Sequence, residues 1–195
     1  MDQNTKEIKS FPTSQKLSLS ESNSRLWGSG PKYFGYINIY DSSDCFYSQD
    51  IGLSGRTFFV KQVSDGRVWV GKREGLFEFK DNMLVRPFPF FNAFESRVNE
   101  IEELANGTLV IATKGEGVLL WHGDNFQQFT ELDGLTSNMI ENVHVDDSQR
   151  IWVGTLLGLN IMTPIDKGYK IQKNNKVVVH CALGRGRSVF VMAAY

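Results

Sequence analysis

The chain has 195 residues, with 21 Lys and Arg against 22 Asp and Glu, a formal net charge of −1, and is 41% hydrophobic and 22% charged. This balance excludes a disordered chain and lacks the basic excess that drives binding to nucleic acid. Two cysteines cannot frame a disulfide scaffold, no Cys/His spacing suits zinc, and no stretch reaches the ~20 apolar residues of a membrane span, so no cofactor, metal or nucleic-acid partner is expected.

Residues 1–16 are polar and lack the apolar centre of a secretory signal, which reads as a loose leader and, taken alone, a cytoplasmic location. Beyond them, 18 Gly, 14 Phe, 6 Tyr and 4 Trp suggest a sheet protein. The first landmark is Leu26-Trp27-Gly28-Ser29. It returns as Val68-Trp69-Val70-Gly71 after the polar turn Ser64-Asp65-Gly66-Arg67, and as Leu109-Val110-Ile111-Ala112 after Ala105-Asn106-Gly107-Thr108. It returns again as Ile151-Trp152-Val153-Gly154 after Asp147-Ser148-Gln149-Arg150, so positions 27, 69, 110 and 152 are 42, 41 and 42 apart. A second landmark follows each one, at Gly35-Tyr36-Ile37, Gly75-Leu76-Phe77, Gly117-Val118-Leu119 and Gly158-Leu159-Asn160. A third, Ile51-Gly52-Leu53-Ser54, matches Asp133-Gly134-Leu135-Thr136-Ser137-Asn138 two periods later.

Runs such as Phe77-Glu78-Phe79 and Val143-His144-Val145 alternate with the period of a strand, and the Asp-Gly and Asn-Gly turns suit antiparallel neighbours. A period of 41–42 with about four strands is the signature of a propeller blade. The predicted fold is therefore all-β, a partial β-propeller of about four antiparallel four-stranded blades over residues 17–172. A partial ring leaves open apolar edges and predicts self-association.

The units resemble the two-component-regulator propeller repeat, whose blades read roughly D-x-G-x-Ile/Leu-Trp-Ile/Val-Gly-Thr-x-x-Gly-Leu. The fourth unit supplies Arg150-Ile151-Trp152-Val153-Gly154-Thr155 followed by Gly158-Leu159, and Asp133 to Asn138 supplies the Asp-Gly-Leu-x-Ser-Asn element. The first copy is degraded, and Val110 stands where Trp is expected. The resemblance implies a large extracytoplasmic sensor region of a hybrid histidine kinase, which binds a small, often sugar-derived, ligand or a protein partner. Such rings normally have about seven blades, so the resemblance also implies a fragment or partial ring, periplasmic if it belongs to a larger sensor.

Lys173-Asn174-Asn175-Lys176 reads as a turn that ends the repeat. The strand Val177-Val178-Val179 then runs into His180-Cys181-Ala182-Leu183-Gly184-Arg185-Gly186-Arg187-Ser188 and an apolar segment of helical character, to Tyr195. This arrangement suits phosphoryl transfer to sulfur. A helix amino terminus and nearby cations favour the thiolate, and loop amides can cradle a dianion. The stretch resembles the His-Cys-x5-Arg-Ser/Thr loop of cysteine-dependent protein tyrosine and dual-specificity phosphatases. That resemblance implies Cys181 as nucleophile, Arg187 as phosphate clamp, Ser188 as helper in breakdown of the thiophosphate and His180 as tuner of the thiolate. The amides of Ala182, Leu183, Gly184, Arg185, Gly186 and Arg187 would line the cradle, and a phosphoprotein would be the substrate. The general-acid window holds only Asp146 and Asp147, which belong to a blade turn. The loop is therefore expected to be incomplete, with binding rather than hydrolysis as the leading reading of the chain.

Trp27, Trp69 and Trp152 are expected in blade packing and Trp121 nearer the surface. His122 and His144 read as structural or solvated, and Cys45 as a half-buried apolar group. Lys72-Arg73-Glu74 and Glu100 to Glu103 read as solvated turns or faces. Arg86-Pro87-Phe88-Pro89-Phe90-Phe91 reads as an outer strand whose prolines block edge pairing.

Overall fold

A computed structural model describes residues 16–20, 24–30, 33–41, 43–47, 56–87, 95–166 and 168–174, with only the backbone described at 16–20 and 174. Four sheets of four strands account for the regular structure. The first holds β1 Lys16–Ser20, β2 Arg25–Ser29, β3 Phe34–Asn38 and β4 Asp44–Tyr47, and the second β5 Thr57–Gln62, β6 Val68–Lys72, β7 Gly75–Lys80 and β8 Met83–Val85. The third holds β9 Val98–Glu103, β10 Leu109–Thr113, β11 Val118–His122 and β12 Asn125–Phe129, and the fourth β13 Ile140–Val145, β14 Ile151–Thr155, β15 Gly158–Ile165 and β16 Gly168–Asn174. Every sheet is an antiparallel meander in chain order, as the repeat requires. The chain divides into two compact units, Met1–Val98 and Asn99–Tyr195.

Each landmark has a physical reason. The turn between the first two strands of a sheet is the same object three times. Val63 N–H donates to Arg67 O and Gly66 N–H back to Val63 O, and the pattern recurs for Leu104, Gly107 and Thr108 and for Asp146, Gln149 and Arg150. The third residue after the turn start needs positive φ, which Gly66 (88°) and Gly107 (82°) adopt freely. Gln149 adopts it at 60°, a conformation that strains a residue with a Cβ, while its side-chain oxygen accepts from Ala105 N–H at 2.7 Å and so ties the fourth sheet to the third. Removing the strain and the tie together should nearly cancel. Gln149→Gly is expected to lie within about 1 kcal/mol of the native chain in urea unfolding, whereas Gln149→Val, which keeps the strain and loses the tie, should lose about 2 kcal/mol.

The fourth sheet's turn carries one further device. Asp146 accepts from Ser148 N–H, Arg150 N–H, Arg150 Nε and Trp152 Nε1, the last at 2.8 Å. Burial alone would raise this carboxyl's pKa, but the bonds from Trp152 and Arg150 outweigh it and hold the group below its ordinary 3.8. A carboxyl depressed on folding stabilises fully above its unfolded pKa and loses that contribution as pH falls through its folded value. Asp146→Asn is therefore expected to unfold more readily at neutral pH. Its stability should also decline less steeply than that of the native chain between about pH 5 and 3, read from acid titrations of the unfolding midpoint.

Within the second unit, Val110 and Ala112 of β10 and Val118 and Leu120 of β11 pack with Ile140, Val143, Ile151, Val153 and Met162 of the next sheet. Leu109, Ile111 and Leu119, on the opposite face of the third sheet, are buried too. Within the first unit, Trp27 and Phe34 pack with Val60, Val68 and Val70. Trp27 Nε1 donates to the buried Gln62 Oε1 at 3.2 Å, so the indole is held across the two sheets by its polar edge as well as its faces.

Several sequence expectations need correction. Trp121 is buried, only 6% exposed, stacked on Phe126 and donating to Gly123 O. Glu100 is not a solvated face, because its carboxylate accepts from Asn142 Nδ2 and Val143 N–H of the neighbouring sheet. The outer strand of the second sheet is Met83–Val85, ahead of Arg86 and Pro87, and residues 88–91 lie outside the described residues. Lys173 and Asn174 are paired residues of β16, opposite Asn160 and Leu159, rather than a turn. Trp27 and Trp69 are buried and Trp152 half-buried, His122 and His144 are exposed, and Cys45 is half-buried, all in line with their sequence reading.

Candidate functional site

The most ordered chemistry lies where β12 hands the chain to β13. A single 3-10 turn, Glu131–Asp133, is capped at both ends: Asp133 accepts from Thr130 N–H, and Gly134 takes the left-handed conformation at φ 111°. Glu131 N–H donates to Asn138 Oδ1, and Asn138 N–H donates back to the Glu131 carboxylate, closing the loop upon itself. Leu135 drops into the core. Asn138 O accepts from Gly115 and Gly117 N–H of the third sheet, while Met139 O accepts from Leu156 N–H of the fourth. The Asp-Gly-Leu-Thr-Ser-Asn element thus closes its own turn through Asp133, Gly134 and Asn138 and joins the third and fourth sheets through Leu135, Asn138 O and Met139 O.

The centre of that junction is Asn160, fully buried. Its Oδ1 accepts from Thr136 N–H at 3.0 Å and Thr136 Oγ1 at 2.8 Å, and its Nδ2 reaches Gly134 O at 3.5 Å. Sequence reasoning passed over this residue, although a signal existed. The slot two after the repeat's glycine holds Ile37, Phe77 and Leu119 in the other units, so a buried amide there needs hydrogen bonds to offset its burial.

A different chemistry gathers at the corresponding end of the second sheet, in the first unit. Thr57 pairs with Lys72 and Lys72 with Gly75, so the start of β5, the end of β6, the start of β7 and the residues after β8 share one end. Two phenylalanine rings there each carry two cations. The Arg97 and Arg56 guanidiniums lie 3.7 and 5.2 Å from the Phe58 ring centre, and the Arg86 guanidinium and Lys72 ammonium lie 5.0 and 5.4 Å from that of Phe77. Glu74 and Glu95 face Lys72 and Arg86 at 3.9 Å each, beyond hydrogen-bond reach. Lys72, read from sequence as a solvated turn residue, is instead buried, its side chain 4% exposed.

The loop expected to hold phosphate is not part of this picture. His180, Cys181, Ala182, Leu183, Gly184, Arg185, Gly186, Arg187 and Ser188 all lie outside the described residues, as does the first copy of the third landmark, Ile51 to Ser54. Among the described residues, no group of His, Cys, Asp and Glu is placed to hold a metal ion, and no helix is long and apolar enough to cross a membrane.

No protein-family model matches the chain, and a comparison with curated protein sequences gives no match. Solved structures do. The extracellular domain of BT3049 from B. thetaiotaomicron, assigned as a hybrid two component system, superposes with a TM-score of 0.62 at 18% identity over 83% of this chain and 22% of that one. Virginiamycin B lyase from Staphylococcus aureus gives 0.56 at 15% identity, over 80% and 53%. The WD40 β-propeller domain of Doa1 gives 0.54 at 20% identity, over 74% and 47%. These likenesses establish the fold: four antiparallel four-stranded sheets of propeller type. The chain spans between about a fifth and about half of the length of these structures.

Proposed function

We propose that the chain is a run of blades from a sensory β-propeller of two-component-regulator type, a binding module working outside the cytoplasm as part of a larger receptor. The observation that carries this reading is the repeated blade with its Asp133–Asn138 junction. Strand-end turns held this rigidly present side chains at one end of each sheet, which is how scaffolds position loop residues for recognition. The likeness to an extracellular two-component-system domain supports both the regulatory role and the location. The ligand in this reading is a small, sugar-derived molecule or a protein partner. A panel of mono- and oligosaccharides, tested by thermal shift on the purified chain, is expected to contain one that raises Tm saturably. If no member moves the transition, the sugar-ligand reading fails.

On this reading residues 1–16 form a leader, the blades begin at about residue 17, and residues beyond β16 form a separate segment. Blades lacking their ring neighbours are expected to associate through open edges, giving dimers or larger species in light scattering at micromolar concentration. A monomer would oppose this.

A second reading rests on one sequence observation, His180-Cys181 with Arg187-Ser188 at phosphatase spacing. In it the terminal segment binds phosphate through the amides of Ala182 to Arg187, with Cys181 as nucleophile toward a phosphoprotein. Vanadate-sensitive hydrolysis of an aryl phosphate, abolished in Cys181→Ser, would establish it, and an inert native chain would remove it.

A further inference from the structure

The hairpin between the second and third strands of a sheet is polar in the second and third sheets, where Arg73-Glu74 and Lys114-Gly115-Glu116 supply it. In the fourth sheet it is apolar, with Leu156 and Leu157 standing 62% and 72% exposed. A third leucine belongs with them. Leu132, 99% exposed, lies in the 3-10 turn, and the loop that continues from that turn is tied to the hairpin. Met139 O accepts from Leu156 N–H, and the Thr136 and Thr155 hydroxyls meet at 2.7 Å. Single exposed leucines are ordinary, whereas three at one end of one unit, on turns held in place by hydrogen bonds, mark an interaction surface.

The turn is also acidic. Glu131 and Asp133 flank Leu132, and their carboxylates accept from Asn138 N–H and from the Thr130 N–H and hydroxyl, neutral donors that leave both charges standing.

β16 delivers the chain to the same place. Asn174 lies across the ladder from Leu159, beside the Leu156–Leu157 hairpin, and Ile171 Cβ lies 3.9 Å from where a Cβ on Gly134 would stand. The residues that follow have the complementary composition. Val177-Val178-Val179 and Val189-Phe190-Val191-Met192 are apolar, Arg185 and Arg187 stand between them, and residues 175–195 contain no Asp or Glu. At roughly 3.3 Å per extended residue this stretch can cross the end of a four-stranded sheet, roughly 15 Å wide, with length to spare. A segment tethered at the edge of its seat is presented to it at an effective concentration on the order of millimolar, so contacts too weak to recruit a second copy suffice to hold it.

We infer that this end of the second unit is the seat of the chain's own residues 177–192. The two apolar stretches cover Leu132, Leu156 and Leu157, and Arg185 and Arg187 meet Glu131 and Asp133. The seat is independent of both functional readings above.

Limited trypsin digestion of the full chain, followed by mass spectrometry, tests it, because cleavage after Arg185 and Arg187 tracks the undocked fraction. The triple variant Leu132→Asn/Leu156→Asn/Leu157→Asn is expected to speed that cleavage about tenfold or more. Val189→Ser/Phe190→Ser should do the same, with no further gain when the two sets are combined. Glu131→Gln/Asp133→Asn should speed it a few-fold, the scale of exposed ion pairs. Ile165→Asn removes another exposed apolar side chain, at the opposite end of the same sheet, and should leave the rate unchanged. The substituted leucines lie outside the core, so the unfolding midpoint of the triple variant should stay at the native value. An unchanged rate in the triple variant, or an equal gain in Ile165→Asn, overturns the seat. Additive gains from the two sets overturn the pairing of segment with patch. Protection that fades on dilution of the native chain assigns the patch to a second copy and overturns the chain's own segment as its occupant.

Discussion

Gly117→Ala is expected to lower stability by more than about 3 kcal/mol, seen as a fall in the urea midpoint at unchanged slope. Two effects combine at this residue. Its φ of 75° disfavours any Cβ, by about 1–2 kcal/mol, and an ideal Cβ would stand 2.0 Å from Phe129 O, a backbone atom fixed in the β11–β12 ladder. The glycine cannot move away, because its N–H donates to Asn138 O and its carbonyl accepts from both Thr113 N–H and Thr113 Oγ1. Gly107→Ala provides the comparison: its φ is similar at 82° but nothing lies within 4 Å of the added carbon, so only the conformational part, about 1 kcal/mol, should be lost. Equal losses at the two positions would show that contact with Phe129 O does not matter.

Asn160→Ala is expected to lose about 2–4 kcal/mol, because it leaves Thr136 N–H without its acceptor inside the protein and opens a void at the same time. Thr136→Val should lose less, since the Thr155 hydroxyl keeps its own bond to Gly158 O. A double-mutant cycle between Asn160 and Thr136 should show a coupling of about 1 kcal/mol or more. Additive effects would mean that the amide only fills space.

Much of the fold was legible in the sequence because the period is enforced by steric demands that few residues meet. Gly75, Gly117 and Gly158 recur since each stands at or just before the start of a strand at positive φ, and Trp27 and Trp69 recur as buried residues at the same repeat position, in the second strand of their sheets. The Asp133–Asn138 element was legible as a motif but not as a device. Its duties fall on backbone groups of residues far along the chain, such as Gly115 and Leu156, which leave no trace in residue type. Lys72 was misread for the opposite reason. Lys-Arg-Glu is the composition of a wet turn, and only the structure reveals that Lys72 ends a central strand with its side chain buried beside Phe77. Gln149 hid in the same way, a long polar side chain in a slot that its counterparts fill with glycine. Residues whose role depends on breaking a rule are the ones that averaging over repeats conceals.

Each sheet is a meander completed within one stretch of about forty residues, and the described ladders never borrow a strand from another stretch. Tandem duplication or in-frame excision of a single period would therefore add or subtract a whole layer without cutting the ladder of any other sheet. Genes with this layout can change the number of layers by unequal crossing-over, each gain or loss leaving the ladders of the remaining sheets whole.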